Sequence, residues 1–306
     1  MIGCFQPAYG EGIFMESQSI FDRGVAKVKS VVSEMSIEQR DFMKAIVRCC
    51  NDGWLQGWHE SNGGNLSYRM SYDELQTCRS YFAEPLGEWV PIGIRAAGLA
   101  GEHFVVTGAG AHFRNIALDP IAGLGIVEIN QTGDAYRCVW GFRGGKQPTS
   151  EFSKHFMIHA VRKAVTKGTS RVVYHAHPAY VVALSLVLPH DMKQWSRVLW
   201  QSLSESILMF PEGIGIVPKM APGTTEIADA ISKLFESFSV VVWPHHGAFC
   251  SADDLDAAFG LMHTVEKAAG IYLQARMAKA DTVGPVLPTD DELRALAQSF
   301  GVELEL

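Results

Sequence analysis

Two pairs of strand-like runs sit too close in the chain for anything but a hairpin-type connection. Only residues 130–134 separate Gly125–Ile129 from Ala135–Trp140, and only Pro244 and His245 separate Ser239–Trp243 from His246–Cys250. Parallel neighbours need a crossover of roughly a dozen residues or more, whereas antiparallel ones can be joined by a tight turn. Further strand patterns occur at Leu66–Met70, Phe104–Thr107, Arg171–His177, Ile207–Phe210 and Gly213–Val217. Helical patterns lie between many of them, at about Ala179–Leu188, Lys193–Leu203, Thr224–Phe238 and Asp290–Phe300, with a long helix running to about Lys279. The fold class implied is α/β: one three-layer domain with a central, mainly antiparallel sheet flanked by helices.

Local signals sharpen this outline. Ser36 with Gln39 reads as a capping box opening a helix, and Phe42, Ile46, Cys50, Trp54 and Trp58 follow as an apolar stripe. Residues 71–103, with Pro85, Pro91 and several glycines, read as irregular. Thr149 or Ser150 can cap a helix running to about Lys167. No repeat, low-complexity tract or linker interrupts residues 36–306, so they form one domain. Residues 1–35 form an N-terminal extension in which Phe21, Val25, Val28 and Val32 predict a short helix.

Composition matters for what it excludes. The chain is 47% hydrophobic and 19% charged over 306 residues, enough for a large core. A net charge of −7 without a long Lys/Arg run argues against nucleic acid and membrane surfaces as partners. The longest apolar stretch, near Val181–Leu188, is too short to span a bilayer, and the first residues lack a signal-peptide pattern. Six cysteines without a C-x-x-C pair read as reduced thiols. The expectation is a soluble cytoplasmic protein.

The chemistry-bearing residues form two constellations. In Tyr174-His175-Ala176-His177, the two histidines are spaced i, i+2 at a strand end, which turns both to one side. A divalent-metal site needs a third ligand, and Pro244-His245-His246-Gly247 supplies two candidates. Spacing alone leaves His245 and His246 open. The remaining histidines, His59, His103, His112, His155, His159, His190 and His263, read as surface or structural. The second constellation comprises three segments that can offer backbone amides to an anion: Asn62-Gly63-Gly64-Asn65, Thr107-Gly108-Ala109-Gly110 and Pro148-Thr149-Ser150. Phe113 stands where a dinucleotide fingerprint needs its third glycine, and no Walker A sequence is present.

Taken in order, these segments resemble the class II aldolases from about Asp41 to the C-terminus. The resemblance also rests on Gly53-Trp54-Leu55-Gln56-Gly57-Trp58, Phe113-Arg114-Asn115, Pro148-Thr149-Ser150-Glu151 and Leu199-Trp200 with Glu205. Phe210-Pro211-Glu212-Gly213 and Pro222-Gly223-Thr224 complete it. It implies one Zn²⁺ per subunit on His175, His177 and His246, with Glu151 as catalytic acid/base. Phosphate would be held by Asn62, Gly64, Asn65, Gly108, Gly110, Thr149 and Ser150. Glu205 matches a second catalytic carboxylate that enters a neighbouring subunit's site in a cyclic homotetramer. The implied reaction is reversible cleavage of a phosphorylated ketose, L-rhamnulose 1-phosphate, to dihydroxyacetone phosphate and L-lactaldehyde. The alternatives are cleavage of L-fuculose 1-phosphate, pentulose-5-phosphate 4-epimerisation, and a non-catalytic scaffold. Three departures stand out: Ala109 where serine is usual, His245 where an aromatic residue is usual, and the long N-terminal stretch.

Overall fold

The computed structural model describes residues 35–84, 86–218, 225–278 and 286–306. The predicted N-terminal helix and the Pro222-Gly223-Thr224 segment lie outside the described residues. The strands are β1 (Asn65–Arg69), β2 (Val90–Pro91), β3 (His103–Thr107), β4 (Leu124–Ile129), β5 (Ala135–Gly141), β6 (Val172–Ala176), β7 (Gly215–Ile216), β8 (Val240–Trp243) and β9 (Gly247–Ala252). The helices are α1 (Asp41–Leu55), α2 (Tyr72–Cys78), α3 (Phe113–Ile116), α4 (Pro120–Gly123), α5 (Phe152–Val165), α6 (Ala179–Leu184), α7 (Met192–Ser202), α8 (Glu205–Met209), α9 (Thr225–Leu234), α10 (Leu255–Ala278) and α11 (Asp290–Phe300). The strands form one sheet in the order β2-β5-β4-β3-β1-β6-β9-β8-β7, antiparallel throughout except for the β7–β8 pair.

Side-chain alternation along the strands divides the core into layers. Val172, Tyr174, Ala176, Val240, Val242, Ala248 and Cys250 join a cluster with α1, α3, α6, α7, α8, α10 and α11. The intervening Val173, Val241 and Phe249 face the opposite way, against α9 and Ile158 of α5. Phe104, Val106 and Val127 pack against Phe152 and Phe156, also of α5. Helices therefore cover both faces, as the expected three-layer class requires. No described helix is long and apolar enough to cross a membrane. The described cysteines are free thiols.

Several local readings need correction. The Ser36–Gln39 box opens only a 3₁₀ turn, Ile37–Gln39. Arg40, whose guanidinium donates to the Thr77 carbonyl at 3.1 Å, is extended, and α1 begins after it. The buried face of α1 is Met43, Ile46, Cys49, Cys50 and Gly53, while Trp54 is 39% exposed. A strict i+4 stripe drifts by about 40° per step around a helix of 3.6 residues per turn, so it leaves the core by Trp54. Within the supposedly irregular 71–103, Ser71 and Glu74 form a reciprocal capping box that starts α2. Ile207–Phe210 belongs mostly to helix α8, because a short apolar run carries no period to separate strand from helix. Thr149 and Ser150 do not cap α5; Glu151 occupies the cap position. The Thr149 N–H is already committed to the Thr107 carbonyl at 2.9 Å, beside a lone bridge between Gly108 and Pro148.

Antiparallel order brings the start of one strand beside the end of the next. Asn65 at the start of β1 pairs with His175 near the end of β6, and His175 pairs with Phe249 near the start of β9. The end of β3 is the Thr107 side of the same edge. Four chain-distant loops and the start of α5 thereby meet at one end of the sheet.

Ile231 of α9 is fully buried against the β8–β9 face. Ile231→Ala should lower unfolding free energy by about 2–5 kcal/mol, whereas Leu118→Ala, at 82% exposure, should change it by less than about 0.5 kcal/mol; urea unfolding of both variants measures this.

Candidate metal centre and anion pocket

The His175 imidazole is held from behind. Its Nδ1 donates to the Ala248 carbonyl at 2.9 Å, and its ring stacks on Phe249 at 4.0 Å between centroids. This fixes the tautomer and aims Nε2 into the cleft. His177, just past β6, donates its backbone N–H to the Trp58 carbonyl at 3.0 Å and its Nδ1–H to Glu60 Oε1 at 2.6 Å. Its Nε2 is buried without a protein partner. His246 sits on the β8–β9 turn with its ring 4.3 Å from that of Trp243, and its Nε2 lies 3.2 Å from His175 Nε2. The ligand atoms of the three histidines all lie within 4.8 Å of one another. Tetrahedral nitrogen ligands about 2.0–2.1 Å from Zn²⁺ stand about 3.3 Å apart, so the cluster has suitable dimensions for such an ion.

Its electrostatics also suit a cation. Burial, opposed by the nearby Glu151 carboxylate and reinforced by His177 and His246, holds His175 well below the ordinary histidine range. Burial, then His177, lowers His246. Neutral imidazoles are the metal-binding form. Of the two candidates left open by spacing, His246 lies with His175 and His177 and His245 does not. His245 is exposed at φ 63°, donates its N–H to Ser185 Oγ at 2.9 Å and packs edge-on against His190.

Glu151 enters from the start of α5. Its Oε2 lies 3.6 Å from His175 Nε2 and accepts from Asn65 Nδ2 at 2.9 Å. Its Oε1 accepts from Lys154 Nζ at 2.6 Å. Burial raises the carboxyl, but the adjacent His175 ring, the Asn65 amide and the Lys154 ammonium outweigh it and hold Glu151 well below the usual range. Sequence reading missed both Lys154 and Glu60. Lys154 was accessible as an i, i+3 partner of Glu151 at a helix start. Glu60 carried no signal, because its contact with His177 is purely tertiary.

The cleft is lined by Asn62, Gly64, Asn65, Gly108, Ala109, Gly110, Thr149, Ser150, Glu151, His175, His177 and His246. Every candidate residue except Glu205 is therefore brought together. Glu205, at the first residue of α8, is exposed and accepts from Ser204 Oγ at 3.1 Å, outside its own chain's cleft. The amides of the three glycine- or hydroxyl-bearing segments are not all available, contrary to the simplest expectation. Those of Gly108, Ala109 and Thr149 bond to the carbonyls of Gly123, Gln147 and Thr107. The amides of Gly110 and Ser150 have no acceptor among the described residues. Gly64 has φ +72°, and a Cβ there would stand 2.4 Å from His59 Nδ1 and 2.7 Å from the His175 carbonyl, so only glycine fits. His59 itself is structural: it bonds Tyr174 Oη at 2.7 Å and the Gly63 carbonyl at 3.0 Å and stacks on Phe113. No Lys or Arg lines the cleft among the described residues, so the donors there for an anion are neutral groups.

The chain is 40% identical over 264 residues to a rhamnulose-1-phosphate aldolase of Pectobacterium carotovorum, covering 85% of this chain and 94% of the relative. It is 38% identical over 269 residues to a rhamnulose-1-phosphate aldolase of Escherichia coli O157:H7, covering 87% and 96%. Among solved structures, a sugar-phosphate aldolase from Thermotoga maritima superposes with a TM-score of 0.64 at 22% identity, covering 84% of this chain and all (100%) of that one. Residues 44–273 match the class II aldolase and adducin N-terminal domain. With that match spanning the sheet, the histidine cluster and Glu151, the chain belongs to the class II aldolase and adducin N-terminal domain family.

Proposed function

We propose that this chain reversibly cleaves L-rhamnulose 1-phosphate to dihydroxyacetone phosphate and L-lactaldehyde with the help of one Zn²⁺ per subunit. The observation that carries the reaction type is the Glu151 carboxylate set 3.6 Å from a ligand nitrogen of the histidine cluster, inside a cleft. Identity of 40% over 85% of the chain to a rhamnulose-1-phosphate aldolase supports the substrate.

His175, His177 and His246 fit such an ion: the orphaned buried Nε2 of His177 and two further imidazole nitrogens converge there, and among the described residues no carboxylate belongs to the cluster. When bound, the ion supplies Lewis-acid stabilisation of negative charge developing on the ketose oxygens. Glu151 carries the proton at carbon. In cleavage the C–C bond breaks, the departing carbon becomes the aldehyde as its hydroxyl proton leaves, and Glu151 protonates the carbon that keeps the electron pair. In condensation Glu151 removes that proton. With Asn65 and Lys154 on its oxygens, Glu151 is held ionised, the form that removes the proton from carbon in condensation; in cleavage it takes up a proton from solvent and passes it to that carbon, while the hydroxyl proton leaves to solvent through the second carboxylate. Asn62, Asn65, Gly64, Gly108, Gly110, Thr149 and Ser150 form the phosphate side, and Ala109 contributes only a methyl group there. The exposed position of Glu205 supports a role in the cleft of a neighbouring subunit, within a homotetramer, where it exchanges the hydroxyl proton.

Release of dihydroxyacetone phosphate from L-rhamnulose 1-phosphate, followed by a coupled assay, should vanish after chelation and return on adding Zn²⁺. Zinc-replete protein without product would remove this substrate and turn attention to L-fuculose 1-phosphate and pentulose phosphates. Glu151→Gln should reduce kcat by at least about 10²-fold while calorimetric Zn²⁺ binding persists; an undiminished kcat would assign the proton to another group. Glu151→Gln and Glu205→Gln chains, each impaired, should recover activity when co-assembled, because a mixed oligomer contains clefts with both carboxylates. Failure of mixed oligomers to recover would argue against a shared cleft.

A further inference from the structure

Behind Glu151 and Asn65 runs a line of buried polar side chains, of which Ser67, His155 and His159 have no part in the proposed reaction. Asn65 is 5% exposed, Ser67 0%, His155 0% and His159 1%. Ser67 and Asn65 lie on β1, two residues apart and so on one face of the sheet; His155 and His159 lie one turn apart on α5. Buried polar groups in an apolar layer cost several kcal/mol unless paired, so their survival at the α5–β1 contact calls for a role.

Hydrogen-bond chemistry permits one consistent assignment. The Asn65 amide nitrogen, 2.9 Å from Glu151 Oε2, donates to that oxygen, which turns the amide oxygen the other way. Asn65 Oδ1 then points at His155 Nε2, which must carry the proton. Burial lowers His155 to about 4, so its ring is neutral and Nδ1 is bare. Ser67 Oγ, 2.7 Å away, donates to that Nδ1 and can accept from His159 Nε2 at 2.8 Å. Donors thus point one way, from His159 through Ser67, His155 and Asn65 to Glu151.

We infer that His155, oriented by Ser67, is a positioning residue that locks the Asn65 amide and thereby holds the Glu151 carboxylate in its working orientation. An Asn65 amide released by His155 can turn its oxygen toward Glu151, exchanging a hydrogen bond for repulsion between two acceptors. The relay also commits Asn65 Oδ1 and one N–H away from the anion, so this residue acts at the proton carrier more than at the phosphate. The role of Glu151 rests on the proposed aldol chemistry; the relay's proton arrangement does not.

Two measurements test it. Nitrogen-15 NMR of the histidine rings in the metal-free, otherwise unvaried protein should show His155 as the neutral Nε2–H tautomer; an Nδ1–H tautomer overturns the relay. In the cleavage assay, His155→Leu keeps bulk but no donor and should reduce kcat by about 10–10²-fold with KM within about threefold. His155→Gln, which returns an N–H near the Nε2 position, should recover most of the loss, and Ser67→Ala should fall between. Unchanged kcat in His155→Leu, a loss confined to KM, or His155→Gln no better than His155→Leu would each overturn positioning. Should His155→Leu fail to fold by thermal unfolding, Ser67→Ala and the tautomer decide instead. Inactivity of the unvaried protein on L-rhamnulose 1-phosphate strikes the substrate assignment, and the tautomer still decides the relay.

Discussion

Antiparallel pairing of β1, β6 and β9 at one end of the sheet is the constraint on which the cleft depends. Asn65 opposes His175, and His175 opposes Phe249. Through these two registers the anion turn, the first histidine pair and the late histidine turn share one edge, although more than half the chain lies between Asn62 and His246. A slip of one residue in β6 would turn His175 to the opposite layer, where Tyr174 now packs, because neighbouring side chains on a strand face opposite ways. The apolar alternation of Val172, Tyr174 and Ala176 against Val173 therefore secures the geometry of the histidine cluster as well as the core.

The cleft gathers charge sparingly. Burial lowers His175 and His246, the walls lack Lys and Arg among the described residues, and the Lys154 ammonium close to Glu151 is spent on that carboxylate. In such a setting a bound cation would be the strongest local charge, beside the fixed dipoles of the glycine turns. The orienting contacts come from the surrounding fold. Ala248 and Phe249 hold His175, Glu60 holds His177, Trp243 packs on His246, and Asn65 with Lys154 holds Glu151. Such supporting groups preserve geometry during turnover because each is anchored in a strand, a helix or a paired loop.

Much of this was legible before any coordinates. Short inter-strand connections indicated antiparallel pairing, and the i, i+2 histidines indicated a metal-facing pair. Resemblance to the class II aldolases singled out Glu151 and the glycine turns, which line one cleft with the histidines. The misread elements share a cause. Ile207–Phe210 and the α1 stripe are apolar stretches whose environment, more than their own pattern, selects conformation or facing. Thr149 was misplaced as a cap because its amide bonds to Thr107, forty-two positions upstream by residue number.

By itself, the sequence determined the layer pattern, the residue types capable of holding a divalent cation, and the glycine at position 64, since these depend on local periodicity and side-chain chemistry. Tertiary structure alone placed His246, and not His245, beside His175 and His177, by turning His245 through a left-handed backbone toward Ser185. It alone joined Glu60 to His177, and Ser67 through His155 and Asn65 to Glu151. These are contacts between strands, helices and loops far apart in the chain, and their hydrogen-bond directions follow from burial, which no local spacing encodes.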